Sequence, residues 1–367
     1  MVDHSLYKEK SIQGRYINME AIQPCFSKVS CPITHIGYSV EGIGINAFRL
    51  GKGGKKVLMW SQMHGNESTT TKAVWDLVNF LQSDDSLAQN ILRECSLMIV
   101  PMLNPDGARI YTRENFNKVD LNRDAKDLTQ PESIALRNLF ESFHPDFCFN
   151  LHDQRTLFSA GKANKSATVS FLSPASNQER HITPTREVAM KLIVGMNAML
   201  QKHIPSQVGR YDDGFNDNCI GDTFQMLNVP TILFESGHYP KDYEREKTRE
   251  LIFLSIIEAL KIITNNEIDT YKTGDYFSIP GNQKLFFDVI IRNPELVNPE
   301  IEPGQKVGIR YKEVLDVDKI IFKPEIAEIG LLEGFYGHQT IECIDTKDFG
   351  FASSEKEILD LLLKTKK

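Results

Sequence analysis

Two histidines and two glutamates stand just past apolar runs in this chain, a placement that could do hydrolytic chemistry. His64 and Glu67, three residues apart, follow Val57-Leu58-Met59-Trp60; His152 follows Phe147-Cys148-Phe149-Asn150-Leu151; Glu235 follows Pro230-Thr231-Ile232-Leu233-Phe234. A strand that stops at a loop can aim an imidazole and a carboxylate at one ion, and a distant histidine can close the triad. Two His and one Glu leave a fourth position for water, the pattern of a catalytic zinc site rather than a structural one. We therefore expect His64, Glu67 and His152 as ligands of one Zn2+ per chain. Glu235 is the candidate general base, with pairing to Arg245 as the alternative.

The elements that must position these residues are legible as alternating patterns. Short apolar runs at 57–60, 97–102, 147–151 and 231–234 predict buried strands, since each is bounded by polar or turn residues. Between them, 70–81, 131–143, 186–203 and 243–264 carry apolar residues at spacings of three and four, as amphipathic helices require. The fold class is α/β: a mixed, mostly parallel central sheet flanked by helices. The chemical residues all fall where strands end, and open α/β sheets hold ligands in the crevice beyond that edge. After residue 265 the texture changes to β-like segments such as 285–291 and 306–311, separated by Pro and Gly turns. The expected organisation is a catalytic domain over 1–265 and a small β-rich module over 266–367, in which His338 is the one histidine.

Bulk properties exclude some functions. A formal charge of −7 spread over 367 residues argues against a nucleic-acid surface. No run of about 18 apolar residues marks a membrane span, and the first ten residues lack the apolar core of a signal peptide. A cytoplasmic protein, monomer or dimer, is expected. The six cysteines show no C-x-x-C pair and mostly have apolar neighbours, which fits reduced thiols.

Between the metal-site runs lie Asn104-Pro105-Asp106-Gly107, a turn by composition, then Arg113, then Asp120-Leu121-Asn122-Arg123. With the His-x-x-Glu pair, the lone histidine and the late glutamate, these make six elements in order over about residues 57–240. In that order the chain resembles the zinc metallocarboxypeptidases, the carboxypeptidase A-like family. The resemblance implies the zinc ligands named above, Glu235 as the base activating the metal-bound water, Arg113 as polariser of the scissile carbonyl, and Asn122 with Arg123 as the clamp on a substrate carboxylate. Arginine suits both jobs, as a fixed charge facing an oxyanion and as a planar fork matching a carboxylate.

Several positions stay open at this stage. Arg109 competes with Arg113. Tyr211 is the candidate mobile tyrosine that the resemblance implies in the substrate pocket, with Tyr239 as its rival. Asp153 could orient His152 or cap a helix, and His238 is expected as an exposed loop residue. Asp213, Asp217 and Asp222 could select basic side chains, whereas Ile220 would suit an apolar pocket. Asn66 stands where digestive members of the family carry an arginine, so an arginine contact to long peptides is missing. The expected activity is release of the C-terminal residue from short peptides. The alternatives are a zinc-dependent N-acyl amino acid deacylase of the aspartoacylase-like branch and an inactive binding protein.

Overall fold

The computed structural model describes residues 2–344 and 355–364. Its main sheet is built from β1 (Ile33–Tyr38), β2 (Gly44–Leu50), β3 (Lys55–Ser61), β4 (Cys95–Val100), β5 (Phe147–Asp153), β7 (Val169–Leu172), β8 (Val208–Arg210) and β9 (Thr231–Ser236), with β6 (Ser159–Ala160) outside it. The strand order is β1-β2-β4-β3-β5-β9-β7-β8. The centre, β4-β3-β5-β9, is parallel; β2 and β7 join it antiparallel, while at the edges β1 pairs antiparallel with β2 and β8 parallel with β7.

Helices cover both faces of the parallel centre, so its strands are apolar on both sides and alternate between two cores. Val57 and Met59 of β3 pack with the helices Thr69–Leu81, Pro184–Leu200 and Glu246–Asn265. Leu58 and Trp60 point the other way, onto Leu136, Phe140 and Phe143 of the helix Pro131–Phe143 and Phe224 of the helix Ile220–Met226. The four expected helices are present, 131–143 with the expected ends and the other three with ends shifted by one to three residues. One expected turn is not a turn: Asn104 caps a helix, Pro105–Ile110, its side-chain oxygen accepting from Gly107 N at 2.9 Å with Pro105 in the first helical position. Asn at the cap followed by Pro starts a helix as readily as a turn.

The N-terminal segment is strapped onto the large unit by buried Arg249. Its guanidinium binds both oxygens of Asp76 (2.7 and 2.6 Å) and donates to Glu9 O and Ile12 O. Such bidentate charged pairs are strong because geometry and charge act together. The strap delivers Arg15 to the edge of the metal centre.

A second sheet, β13-β12-β11-β14, is formed by β11 (Phe286–Arg292), β12 (Lys306–Asp316), β13 (Lys319–Gly330) and β14 (Tyr336–Glu342). The helix Lys356–Lys364 contributes Ile358 and Leu362 to its small core, with Val289, Ile291, Val307 and Ile309. The change of texture at residue 265 marks the end of a long helix rather than the end of the packing unit. Tyr276 and Ile279 belong to the large core, and β10 (Asn282–Gln283) pairs with β6. The second sheet begins only at Phe286. No helix among the described residues is long and apolar enough to cross a membrane.

Candidate metal centre

The loop after β3 is shaped by two glycines. A Cβ on Gly65 would lie 2.0 Å from the backbone carbon of Gly107, and one on Gly107 would lie 2.5 Å from Glu114 O. Only side-chain-free residues let the two loops approach so closely. In that contact Asn66 N donates to Thr112 O (3.1 Å) and Gly65 N to Arg113 O (3.4 Å), while Gln62 Nε2 donates to Ile17 O and Gly65 O. His64 and Glu67 thus sit on a loop held from three sides. His152 comes from the last turn of the pleat in β5, directly beside Glu235 of β9 in the parallel register.

The three expected ligands converge. His64 Nδ1 lies 2.8 Å from Glu67 Oε1, His152 Nδ1 lies 2.8 Å from Glu67 Oε2, and the two Nδ1 atoms are 3.0 Å apart. Their ligand atoms all fall within 4.8 Å of one another. Two imidazole nitrogens at that separation cannot both carry protons toward each other, so at least one lone pair faces the common point. A tetrahedral zinc with bonds near 2.0–2.1 Å would set ligand nitrogens roughly 3.3 Å apart, so the donor set fits the ion. Burial pushes the Glu67 carboxyl up, yet the two imidazoles outweigh it and hold the group well below its ordinary value. Burial pulls His152 down, and it pulls His64 down too, but Glu67 and Asp120 reverse the sign for His64.

Asp120 is the residue sequence reasoning passed over. Its Oδ1 lies 3.0 Å from His64 Nε2, the nitrogen facing away from the convergence, and its Oδ2 accepts from Arg113 Nε at 3.0 Å. A carboxylate behind a metal-binding histidine fixes the ring and its tautomer. The signal was present, an acid beside the Asn122–Arg123 pair, but only folding brings it across 56 residues to His64. Asp153, for which orienting His152 and capping a helix both stood open, takes the second role. Its Oδ2 accepts from Thr69 N at the start of the helix Thr69–Leu81, and its backbone N–H donates to Glu67 Oε2 at 3.1 Å. It caps a helix and steadies a ligand.

Glu235 is 7% exposed, and its Oε2 has no hydrogen-bond partner among the described residues. Burial raises its proton affinity well above that of an ordinary glutamate, and the carboxylates of Glu67 and Asp153 push the same way. The alternative pairing with Arg245 does not form: that guanidinium donates to the backbone oxygens of Ser236 and Gln154. Of the two competing arginines, Arg113 reaches the centre, with Nη1 3.1 Å from His64 Nδ1 and 3.3 Å from Glu67 Oε1. Arg109 faces Glu41 at the surface.

On the outer side, Asn122 Oδ1 accepts from Ile220 N, which ties it to the start of the helix Ile220–Met226. Arg123 is exposed, its Nη1 donating to Asn122 O (2.7 Å) and lying 3.1 Å from Cys219 Sγ. Tyr211 follows β8 and meets Phe158 edge-on; burial raises its hydroxyl, with Glu235 and Glu67 near enough to add to the effect. Tyr239 instead packs against the large core. Asp213 is engaged by Arg186 and Arg180, and Asp217 by Lys126. Asp222 accepts from Asn216 N, and burial pushes its carboxyl up to about 7. His238, expected to be exposed, is 1% exposed, packed at a tilt between the rings of Tyr243 and of His338 from the second sheet. Its position on a loop misled because the second sheet covers that loop.

The sequence model of the zinc carboxypeptidase family matches residues 27–220. The chain belongs to that family. The matched span includes His64, Glu67, Asp120 and His152 and ends before Glu235, whose placement rests on the β5–β9 register. Carboxypeptidase 2 of Trichophyton rubrum is 28% identical over 111 residues, 30% of this chain and 20% of its own. Carboxypeptidase SOL1 of Arabidopsis thaliana is 39% identical over 87 residues, covering 20% of this chain and 18% of that protein. The chain thus spans about a fifth of the length of these curated relatives. Among solved structures, a metallo-carboxypeptidase from Burkholderia cenocepacia superposes with a TM-score of 0.56 at 18% identity, covering 68% of this chain and 70% of that one. The likeness is one of fold: a large mixed sheet flanked by helices.

Proposed function

We propose that the protein is a zinc-dependent carboxypeptidase that removes the C-terminal residue of short peptides. The observation that carries this is the convergence of His64, Glu67 and His152 beside a buried glutamate with an unpartnered oxygen. Zinc held by those three side chains would supply a bound water of pKa near 7 and polarise the carbonyl it meets. Glu235, beside His152 in the strand register, would accept a proton from the attacking water and give it to the leaving amine. Its raised affinity suits a group that must hold a proton between the two steps. Arg113 presents a guanidinium edge to the developing oxyanion. Arg123, exposed and steadied through Asn122, offers its planar fork to the substrate's terminal carboxylate, and Tyr211 walls the same space.

An uncharged C-terminal residue fits better than a basic one, because Asp213 and Asp217 are already paired with cations and Asp222, held at about 7, carries only part of a charge near neutral pH. A cytoplasmic setting is proposed from the six cysteines, which stand as free thiols.

The test is metal content of the purified protein together with turnover on short peptides, their amidated forms and N-acyl amino acids, with and without chelator. Near-stoichiometric zinc and chelator-sensitive release of C-terminal residues are expected. Cleavage confined to N-acyl amino acids would replace the peptidase by a deacylase, and zinc with no turnover on any substrate would make the protein a binder.

A further inference from the structure

We propose that Glu313, supplied by the C-terminal sheet, is a positioning residue for Arg113 and acts through Tyr111. The inference rests on the role given above to Arg113. Glu313 lies on β12 and reaches back to the large unit, where Arg15 Nη2 donates to its Oε2 at 3.1 Å and lies 3.0 Å from Oε1. The Tyr111 hydroxyl donates to the same carboxylate. Arg15 is 4% exposed and is itself pinned, its Nη1 donating to Tyr243 O and its backbone oxygen accepting from Ser68 Oγ beside the ligand Glu67.

Tyr111 has φ +56° and ψ +50°. A bulky residue holds this left-handed conformation only where its surroundings over-determine it. Its amide and that of Thr112 donate to Ala108 O and Gly107 O, bonds that any residue could make. What is particular to tyrosine is the hydroxyl on Glu313, with the ring edge-on to Tyr16. The next two residues do the work at the centre: Thr112 O holds Asn66 N, and the Arg113 guanidinium spans Asp120, His64 and Glu67. If Tyr111 relaxes to negative φ, the backbone leaving it turns, and Arg113 leaves its position without any ligand being touched.

The test uses the full chain with Tyr111→Phe, Glu313→Ala and Arg113→Ala, singly and paired. The Arg113 Nε–H, identified in NMR spectra by its loss in Arg113→Ala, should exchange with solvent at least roughly tenfold faster in Tyr111→Phe and Glu313→Ala. In both, kcat should fall about tenfold to a hundredfold with KM and zinc content little changed, as misplacement of a polarising group predicts. Neither substitution should cost anything further on top of Arg113→Ala. Unchanged Nε–H exchange, or losses that add to that of Arg113→Ala, would overturn the proposal. If Glu313→Ala does not fold, Tyr111→Phe decides, since it leaves the Arg15–Glu313 pair in place. Absence of peptide turnover in the parent protein would sink the peptidase reading while the exchange measurement still decides the positioning.

Discussion

His64, Glu67, His152 and Glu235 stand at the ends of adjacent parallel strands or on the clamped loop that follows one, and each is at most 8% exposed. Arg113, Asn122 and Arg123 ride instead on the connection between the helices Pro105–Ile110 and Pro131–Phe143, and Arg123 is exposed. The metal half therefore inherits its geometry from the sheet, where register places Glu235 beside His152. The substrate half depends on individual hydrogen bonds: from Arg113 to Asp120 on the same segment, from Tyr111 to Glu313 of the second sheet, and from the Ile220 amide to Asn122. On the function proposed above, rigid support goes to the groups that would meet one ion, and adaptable support to those that would meet a changing substrate.

The comparison breaks most visibly at the base. Glu235→Gln should keep zinc and lose at least about a hundredfold in kcat, the usual scale of proton transfer; metal analysis and steady-state kinetics check it, and near-normal turnover would move the base elsewhere. Asp120→Asn sits on the boundary between the halves. It should weaken zinc binding by about ten- to a hundredfold by releasing His64, read by competition with a chelator of known affinity. Unaltered affinity would mean the strand ends alone suffice. Arg123→Ala should raise KM about tenfold for peptides with a free carboxylate, in line with loss of a charged hydrogen bond, and leave amidated peptides unaffected. An equal effect on both would remove Arg123 from the clamp.

The last prediction concerns stability rather than turnover, in the helix Ile220–Met226 whose first amide holds Asn122. Burial holds Asp222 at about 7, against an ordinary carboxylate near 3.8. The folded state therefore binds that proton more tightly than the unfolded state. The favourable balance is fully present below pH 4 and is lost as pH rises through 7. Asp222→Asn, neutral throughout, should match the parent in stability near pH 4 and exceed it near pH 8 by at most about 4 kcal/mol. Urea unfolding at the two pH values measures the difference, and a variant no more stable at pH 8 than the parent would show that the carboxylate ionises at no cost.

Much of the metal half was legible because its signals are local. An apolar run followed by His64 and Glu67 reads as a strand feeding a loop, and the same holds for His152 and Glu235. The errors were also local readings. Asn104-Pro105 looked like a turn because cap and turn share a vocabulary. His238 looked exposed because a loop histidine is exposed unless something covers it, and the cover, β11–β14, lies about 50 to 100 residues further along. Asp153 stood open between orienting His152 and capping a helix, and only folding, which sets Thr69 N against its Oδ2, decides for the cap.

What the sequence by itself determined is the chemistry available and the kind of sheet that would present it, since residue type and hydrophobic period are properties of short stretches. What only the tertiary structure decided is which groups share a point in space. Arg113 prevails over Arg109 because the Gly65–Gly107 contact directs its segment inward. Asp120 reaches His64 across the loop, and Glu313 reaches Tyr111 from another sheet. Those choices depend on packing between segments far apart in the chain, where a shift of one side chain's width changes the partner, and no local pattern encodes a distance.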